Sequence, residues 1–286
     1  MDHIAALRAL IAPGGRLLSV PGCWDGLTAL LVEKAGFPAA FVTGGGIAMG
    51  RFGQPDIGLV TATEVIDTIA AIRDRVEIPL IADGDTGFGN ALTLARTVRG
   101  FERAGASAIQ IEDQGFPKRC GHMAGKTVVP IGEAVGRIRA AVDSRDEMLV
   151  IARTDALAIE GLDAALDRAE AYLEAGANMI FVEGPRDMAE LDAVSARFAG
   201  RVPLIHNLVE GGVTPTSDGH ILERGGFRVA LHPLLLMHGL VAAAPGWLAH
   251  LAVHRTTDGL PLARLSDMNA LTGAADLIAW GDDHAG

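Results

Sequence analysis

The stretch "ERAGASAIQI", residues 102–111, packs a helix end, a glycine turn and the start of a strand into ten residues. Three other stretches repeat it: "EKAGFPAAFV" (33–42), "LEAGANMIFV" (173–182) and "ERGGFRVALH" (223–232). Each has a charged residue, a small residue and a glycine in succession and then runs apolar. A glycine just past a helix adopts the left-handed backbone that closes it, and the chain can turn directly into a strand. One copy would suit any protein of alternating helices and strands. Four copies, on every second strand, point to a regular closed array rather than an open sheet.

The strands themselves recur eight times. They read "RLLSVPG" (16–22), "AAFVTGG" (39–45), "PLIADGD" (79–85), "AIQIEDQ" (108–114), "LVIARTD" (149–155), "MIFVEGP" (179–185), "VPLIHNL" (202–208) and "FRVALHP" (227–233). Each is too short for a helix and apolar on both faces, as strands of a parallel sheet covered on both sides must be. Helical periodicity fills the gaps. In "TATEVIDTIAAIRDRV" (61–76), for example, Thr61 and Glu64 have the spacing of a capping box. Eight alternations predict a single (β/α)8 TIM barrel spanning 1–286, with 235–286 as a helical extension beyond closure. That extension, including "DMNALTGAADLIAW", is expected to pack on a neighbouring subunit.

Composition narrows the function. The 286 residues carry a net charge of -11 and 49% apolar residues. An acidic chain without a basic patch argues against nucleic acid and anionic membranes as partners. The N-terminus lacks a cationic segment before an apolar run, so no signal peptide is expected. Two cysteines nearly a hundred residues apart make neither a disulfide framework nor a zinc site, and a reducing, cytoplasmic setting is the default. The apolar stretch "VALHPLLLMHGLVAAAPGWLAHLAV" (229–253) contains three histidines and is interrupted by Pro233, Pro245 and Gly246. It reads as a buried strand and helix rather than a membrane span.

Barrel enzymes assemble their sites from the C-terminal ends of the strands. Here those ends carry Thr43-Gly44-Gly45-Gly46, Asp83-Gly84-Asp85, Glu112-Asp113, Arg153-Thr154-Asp155, Glu183 and Asn207. Charges at the tips of buried strands are costly unless they bind a ligand or pair with each other. Asp83 and Asp85, two apart on one strand, share a face and can converge with Glu112. Such an all-oxygen set suits Mg²⁺ or Mn²⁺, with Asp56 in an outer position, or else is neutralised by Arg153.

The loop "GFPKRCGHMAGK" (115–126) follows the fourth strand and holds Cys120 together with two of the three lysines in the chain, Lys118 and Lys126. Lys118, Arg119 and His122 would lower the thiol pKa, suiting Cys120 to donate a proton to a carbanion; the alternative is an ordinary surface cysteine. Cys23 reads as packing. No strand carries a lysine, which excludes Schiff-base cleavage and leaves metal stabilisation of an enolate as the route to any C–C bond breaking. "VEGGVTP" (209–215) reads as a glycine turn.

"FVTGGGIAMGRFGQPDIGL", "ADGDTGFGN", "IQIEDQ", "KRCGH", "ARTDA" and "NLVEGGVTP" come in the order and spacing of the isocitrate lyase/phosphoenolpyruvate mutase superfamily, which the chain resembles over roughly residues 5–275. The Lys-Arg-Cys-Gly-His motif resembles the lyase branch. The resemblance implies Mg²⁺ held by Asp83, with Asp85, Glu112 and Asp56 on its waters, and a homotetramer. It also implies a 2-oxo acid portion resting on Thr43, Gly44, Gly45 and Arg153, and a second carboxylate held by Gly121, His122, Glu183 and Asn207. Cys120 would be the general acid on a gating loop, and Lys118 joins the substrate-binding set.

The expected substrate is therefore a small 2-hydroxy dicarboxylate of the alkylmalate type, cleaved to a 2-oxo acid and a carboxylate. Methylisocitrate cleavage, oxaloacetate hydrolysis, carboxyphosphonoenolpyruvate mutation and a non-catalytic dicarboxylate sensor are the alternatives. One departure stands out. Two residues before Thr43, where many such lyases carry a hydroxyl or indole, this chain has Phe41, so Asp56 or a metal-bound hydroxide becomes the candidate acceptor of the substrate hydroxyl proton.

Overall fold

The computed structural model describes residues 2–121 and 123–285. Among them, eight parallel strands close a barrel in simple sequence order, the last pairing with the first. They are β1 (Leu18–Cys23), β2 (Ala40–Val42), β3 (Leu80–Asp83), β4 (Ala108–Glu112), β5 (Leu149–Thr154), β6 (Met179–Val182), β7 (Leu204–Asn207) and β8 (Val229–His232). The expected (β/α)8 barrel is present, with every strand shorter than the apolar run that signalled it. The glycines of the repeat, Gly36, Gly105, Gly176 and Gly226, all have φ between +81° and +99°. They precede β2, β4, β6 and β8, as the pattern required. Thr61 and Glu64 form the capping box.

Strand side chains alternate between barrel interior and helix layer. Leu18 and Val20, Phe41, Ile81, Leu149 and Ile151, Met179 and Phe181, Ile205, and Val229 and Leu231 face inward and form one buried cluster. Leu7 and Ile11, at and just past the end of the helix His3–Leu10, belong to the same cluster. A barrel interior filled in this way is a packed core, not a channel. Whatever the inward series places above this layer lies at the C-terminal mouth.

The chain divides into two compact units, Met1–Leu235 and Leu236–Gly286. The second contains nearly all of the helix Leu235–His254 and then Leu265–Thr272 and Ala274–Asp283. Two sequence expectations are corrected here. Pro245 and Gly246 do not break the first helix, which runs unbroken for 20 residues. Nor is that helix buried: Leu248 and Val253 are 67% and 74% exposed. The carbonyl left without a donor by Pro245 can meet solvent on such an exposed helix. By length and composition this helix could cross a membrane.

Candidate active site

Extending the inward series one step upward on each strand gives Thr43 after β2, Asp83 on β3, Glu112 on β4, Arg153 on β5, Glu183 after β6 and Asn207 on β7. All six share the parity of the inward core residues, and all six line one cleft of about 500 Å³ counting its open mouth. The period of two along each strand therefore gathers the charged tips into one cleft. Phe41, one step below Thr43, forms part of the wall.

Thr43 also caps the helix Gly44–Phe52, its hydroxyl accepting from the Gly46 amide at 3.2 Å. The Gly44 amide donates to Asp83 Oδ2 at 3.3 Å. A Cβ at Gly44 would lie 3.0 Å from that oxygen, and one at Gly45 3.3 Å from Asp56 Oδ2, so both glycines let backbone approach carboxylates closely.

Asp83 and Asp85 do meet, but not by strand alternation as expected. β3 stops at Asp83, and Asp85 sits beyond it with φ at +45°, its amide donating to Asp83 Oδ1 at 3.2 Å. A turn, not a pleat, brings the two together. Lys118 Nζ pairs with Asp56 Oδ1 and lies 2.9 Å from Asp85 Oδ1. The ammonium that sequence reading placed beside the thiol is thus spent on carboxylates. Arg119 likewise donates to the Ala124 carbonyl at 2.9 Å.

Among the described residues, Asp56, Asp83, Asp85, Glu112, Asp155 and Glu183 face only Lys118, Lys126 and Arg153 as ion-pair partners in and around the cleft. The imbalance shows in the titrations. Burial pushes Asp85 up to about 6, against the pull of Lys118 and with Asp83 and Asp56 adding to the rise. Burial also holds Glu112 well above the usual carboxylate range despite Arg153 Nε at 3.5 Å. Lys118 would be lowered by burial, but Asp85 and Asp56 outweigh this and keep it well above its ordinary value.

No three His, Cys, Asp or Glu side chains among the described residues form a ready metal cage. Asp83, Asp85 and Glu112 are gathered at one mouth without closing on one point. The donor set nevertheless fits a hydrated hard cation. It is all oxygen, carries excess negative charge, and includes Glu112 Oε1, which is buried without a hydrogen-bond partner. A cation of the Mg²⁺ kind keeps several waters and needs few direct carboxylates.

Above the cleft, residues 115–121 and 123–127 belong to a flap closed at its base by an antiparallel bridge between Gln114 and Val128. Lys118, Arg119, Cys120 and Gly121 from the flap line the cleft. The Cys120 amide donates to the Asp56 carbonyl at 3.2 Å. A Cβ at Gly121 would run into the Arg153 guanidinium and come within 2.9 Å of Glu183. Asn207 Nδ2 donates to Glu183 Oε2 at 2.9 Å, and Arg153 Nη2 reaches the same oxygen at 3.2 Å. The role expected of His122 lies outside the described residues. Cys23 is fully buried on β1, as packing requires, and burial raises its thiol far above the ordinary range.

Sequence reading missed the support behind Arg153. Asp155 accepts from Arg153 Nε and Nη2 and from Lys126 Nζ. Asp113, turned away from the cleft, accepts from Thr154 Oγ1, the Asp155 amide and Tyr172 Oη. A signal was available: Lys126 is one of three lysines, and Tyr172 is the sole tyrosine of the chain.

The mouth of this barrel, acidic and roofed by a cysteine-bearing flap, has the make-up of an enzyme active site. The chain belongs to the phosphoenolpyruvate phosphomutase family, whose model matches residues 7–244. It is 39% identical over 277 residues to 2,3-dimethylmalate lyase of Eubacterium barkeri, covering 96% of this chain and 95% of that one. With 2-methylisocitrate lyase of Salmonella typhimurium it shares 43% over 244 residues, 84% and 81% of the two chains. Oxaloacetate acetylhydrolase in complex with 3,3-difluorooxalacetate superposes with a TM-score of 0.94 at 32% identity, over 100% and 98% of the chains. Phosphonopyruvate hydrolase complexed with oxalate and Mg²⁺ superposes with a TM-score of 0.89 at 29% identity, over 100% of both.

Proposed function

We propose that this protein is a Mg²⁺-dependent carbon–carbon lyase that cleaves a small 2-hydroxy dicarboxylate of the alkylmalate type to a 2-oxo acid and a carboxylate. The observation that carries this reading is Cys120, on the flap, lining the same cleft as Asp83, Glu112 and Arg153. Lyases with names of this kind among the relatives support it.

Asp83 would hold the cation, with Asp85, Glu112 and Asp56 around its waters; when bound, it supplies positive charge to the oxygens of the 2-oxo acid portion. Arg153 and the amides of Gly44 and Gly45 orient that portion. Asp56 takes the proton of the substrate hydroxyl, in the place where Phe41 offers no acceptor. As the C2–C3 bond breaks, C2 becomes the ketone, and the electron pair passes to the carbon beside the departing carboxylate. Cys120 delivers a proton to that carbon. Gly121, Glu183 and Asn207 line the end where the departing carboxylate lies, and the flap excludes water from the carbanion.

The three C-terminal helices expose Leu265, Leu277, Ile278 and Trp280 with no buried residue on the last two. Apolar surface of this extent fits burial against another copy of the chain in a homo-oligomer, with a tetramer as the family-based expectation. Cys23 and Cys120, not joined in a disulfide, suit a reducing, cytoplasmic setting.

The test is product identification by proton NMR on a panel of 2,3-dimethylmalate, 2-alkylmalates, methylisocitrate, isocitrate and oxaloacetate. Pyruvate with a second carboxylate from one malate supports the reading and names the substrate. Turnover of a phosphonate alone, seen by phosphorus-31 NMR, would replace it with phosphorus transfer.

A further inference from the structure

We infer that Lys126 is the latch that holds the flap closed over Arg153, with Asp155 as its anchor. Lys126 lies on the descending arm of the flap, just before the bridge that closes its base. Its Nζ donates to the Gly121 carbonyl at 2.6 Å and to Asp155 Oδ1 at 2.8 Å, and the side chain is only 4% exposed. The first bond fixes the flap tip next to Cys120. The second ties that tip to a fully buried carboxylate whose other partner is Arg153, through Nε at 2.9 Å and Nη2 at 3.1 Å.

The other ties between flap and barrel are of a different kind. Lys118 pairs with Asp56 and Asp85, and the Cys120 amide meets the Asp56 carbonyl. These end on the region where the cation is proposed to bind. Lys126 alone, among the described flap residues, forms an ion pair with Asp155. A charge-assisted bond to a buried carboxylate is strong, and its loss leaves Asp155 with Arg153 as its remaining ion-pair partner. What is lost is the coupling between the flap and the carboxylate that orients Arg153.

Lys126 is therefore a positioning residue, and this role rests on the lyase reading only for its effect on turnover. If only the closed flap binds substrate productively, apparent affinity falls by the fraction closed, while saturating substrate restores closure. The experiment compares Lys126→Met with the wild-type enzyme in three readouts. Alkylation of Cys120 by iodoacetamide, followed by mass spectrometry with buried Cys23 as internal control, is expected to quicken about tenfold. Amide hydrogen exchange in 115–121 and 123–127 is expected to rise more than that of the barrel strands. KM is expected to rise about tenfold, with kcat lowered less than about threefold.

Unchanged alkylation and flap exchange would overturn the latch. So would a fall in kcat at constant KM, which would place Lys126 in the chemistry. Alkylation and exchange need no turnover, so they test the latch even if the lyase reading fails. Lys126→Gln, which keeps a donor for the Gly121 carbonyl but loses the charge, separates the two bonds. The inference requires it to resemble Lys126→Met.

Discussion

Arg153 grips Asp155, two residues further along its own chain, through both Nε and Nη2, at 2.9 and 3.1 Å. Arg153 lies on the inward face of β5, and Asp155 lies just past the end of the strand, where Lys126 also reaches it at 2.8 Å. Burial alone would raise the Asp155 carboxyl, but Arg153 and Lys126 outweigh it and hold it at about 2. The guanidinium is thereby fixed from behind, while Nε also lies 3.5 Å from Glu112 and Nη2 3.2 Å from Glu183.

This pairing has a pH signature. A carboxylate with a folded pKa of about 2, against an ordinary value of roughly 3.9, contributes stability that is complete above the ordinary value. That contribution is lost as pH falls toward the folded one. The melting temperature of wild type minus that of Asp155→Asn is expected to be positive and flat from neutral pH to about 5, then to shrink between about 4 and 2. Thermal melts across pH check it, and a gap independent of pH would contradict it.

Cys120→Ser replaces a thiol with a far weaker acid in nearly the same volume. Substrate binding is expected to persist while kcat falls by roughly two to four orders of magnitude. Equilibrium binding alongside steady-state kinetics measures both. Turnover near wild type would remove Cys120 from the proton transfer.

The two thiols differ sharply in surroundings. Cys23 is fully buried, and burial drives its pKa far upward, whereas Cys120 is half-buried on the flap. Native-state labelling is expected to modify Cys120 first, with Cys23 reacting only on denaturation. Equal rates would contradict the described burial of β1.

Gly121 passes against Arg153 and Glu183 where a Cβ has no room. Gly121→Ala is expected to lower kcat/KM by about tenfold or more by lifting the flap from the cleft, with the melting temperature within about 3 °C of wild type. Retained kcat/KM would show that the flap tip tolerates displacement.

The barrel was legible because its signals are local and repeated. The glycine turns at Gly36, Gly105, Gly176 and Gly226 each require positive φ, and parity along a strand fixes which face Thr43, Asp83, Glu112, Arg153, Glu183 and Asn207 occupy. Asp85 was assigned to the cleft for the wrong reason, since sequence spacing cannot reveal that β3 ends at Asp83 and turns. The engagement of Lys118 by Asp56 and Asp85 joins three segments, and no local pattern encodes it. Lys126 and Asp155 were hidden likewise: their pairing spans 29 residues and depends on how the flap folds back. The exposed helix Leu235–His254 was misread because apolar composition does not say what covers it.

The most direct test of the central claim is 2-oxo acid release from 2,3-dimethylmalate, followed by a coupled assay with Mg²⁺ and then with EDTA. The account predicts pyruvate formation that EDTA abolishes and Mg²⁺ restores. Pyruvate release unaffected by EDTA would contradict the role given to Asp83, Asp85 and Glu112. No release from this or any other malate, with the protein folded and Mg²⁺ bound, would contradict the lyase assignment itself.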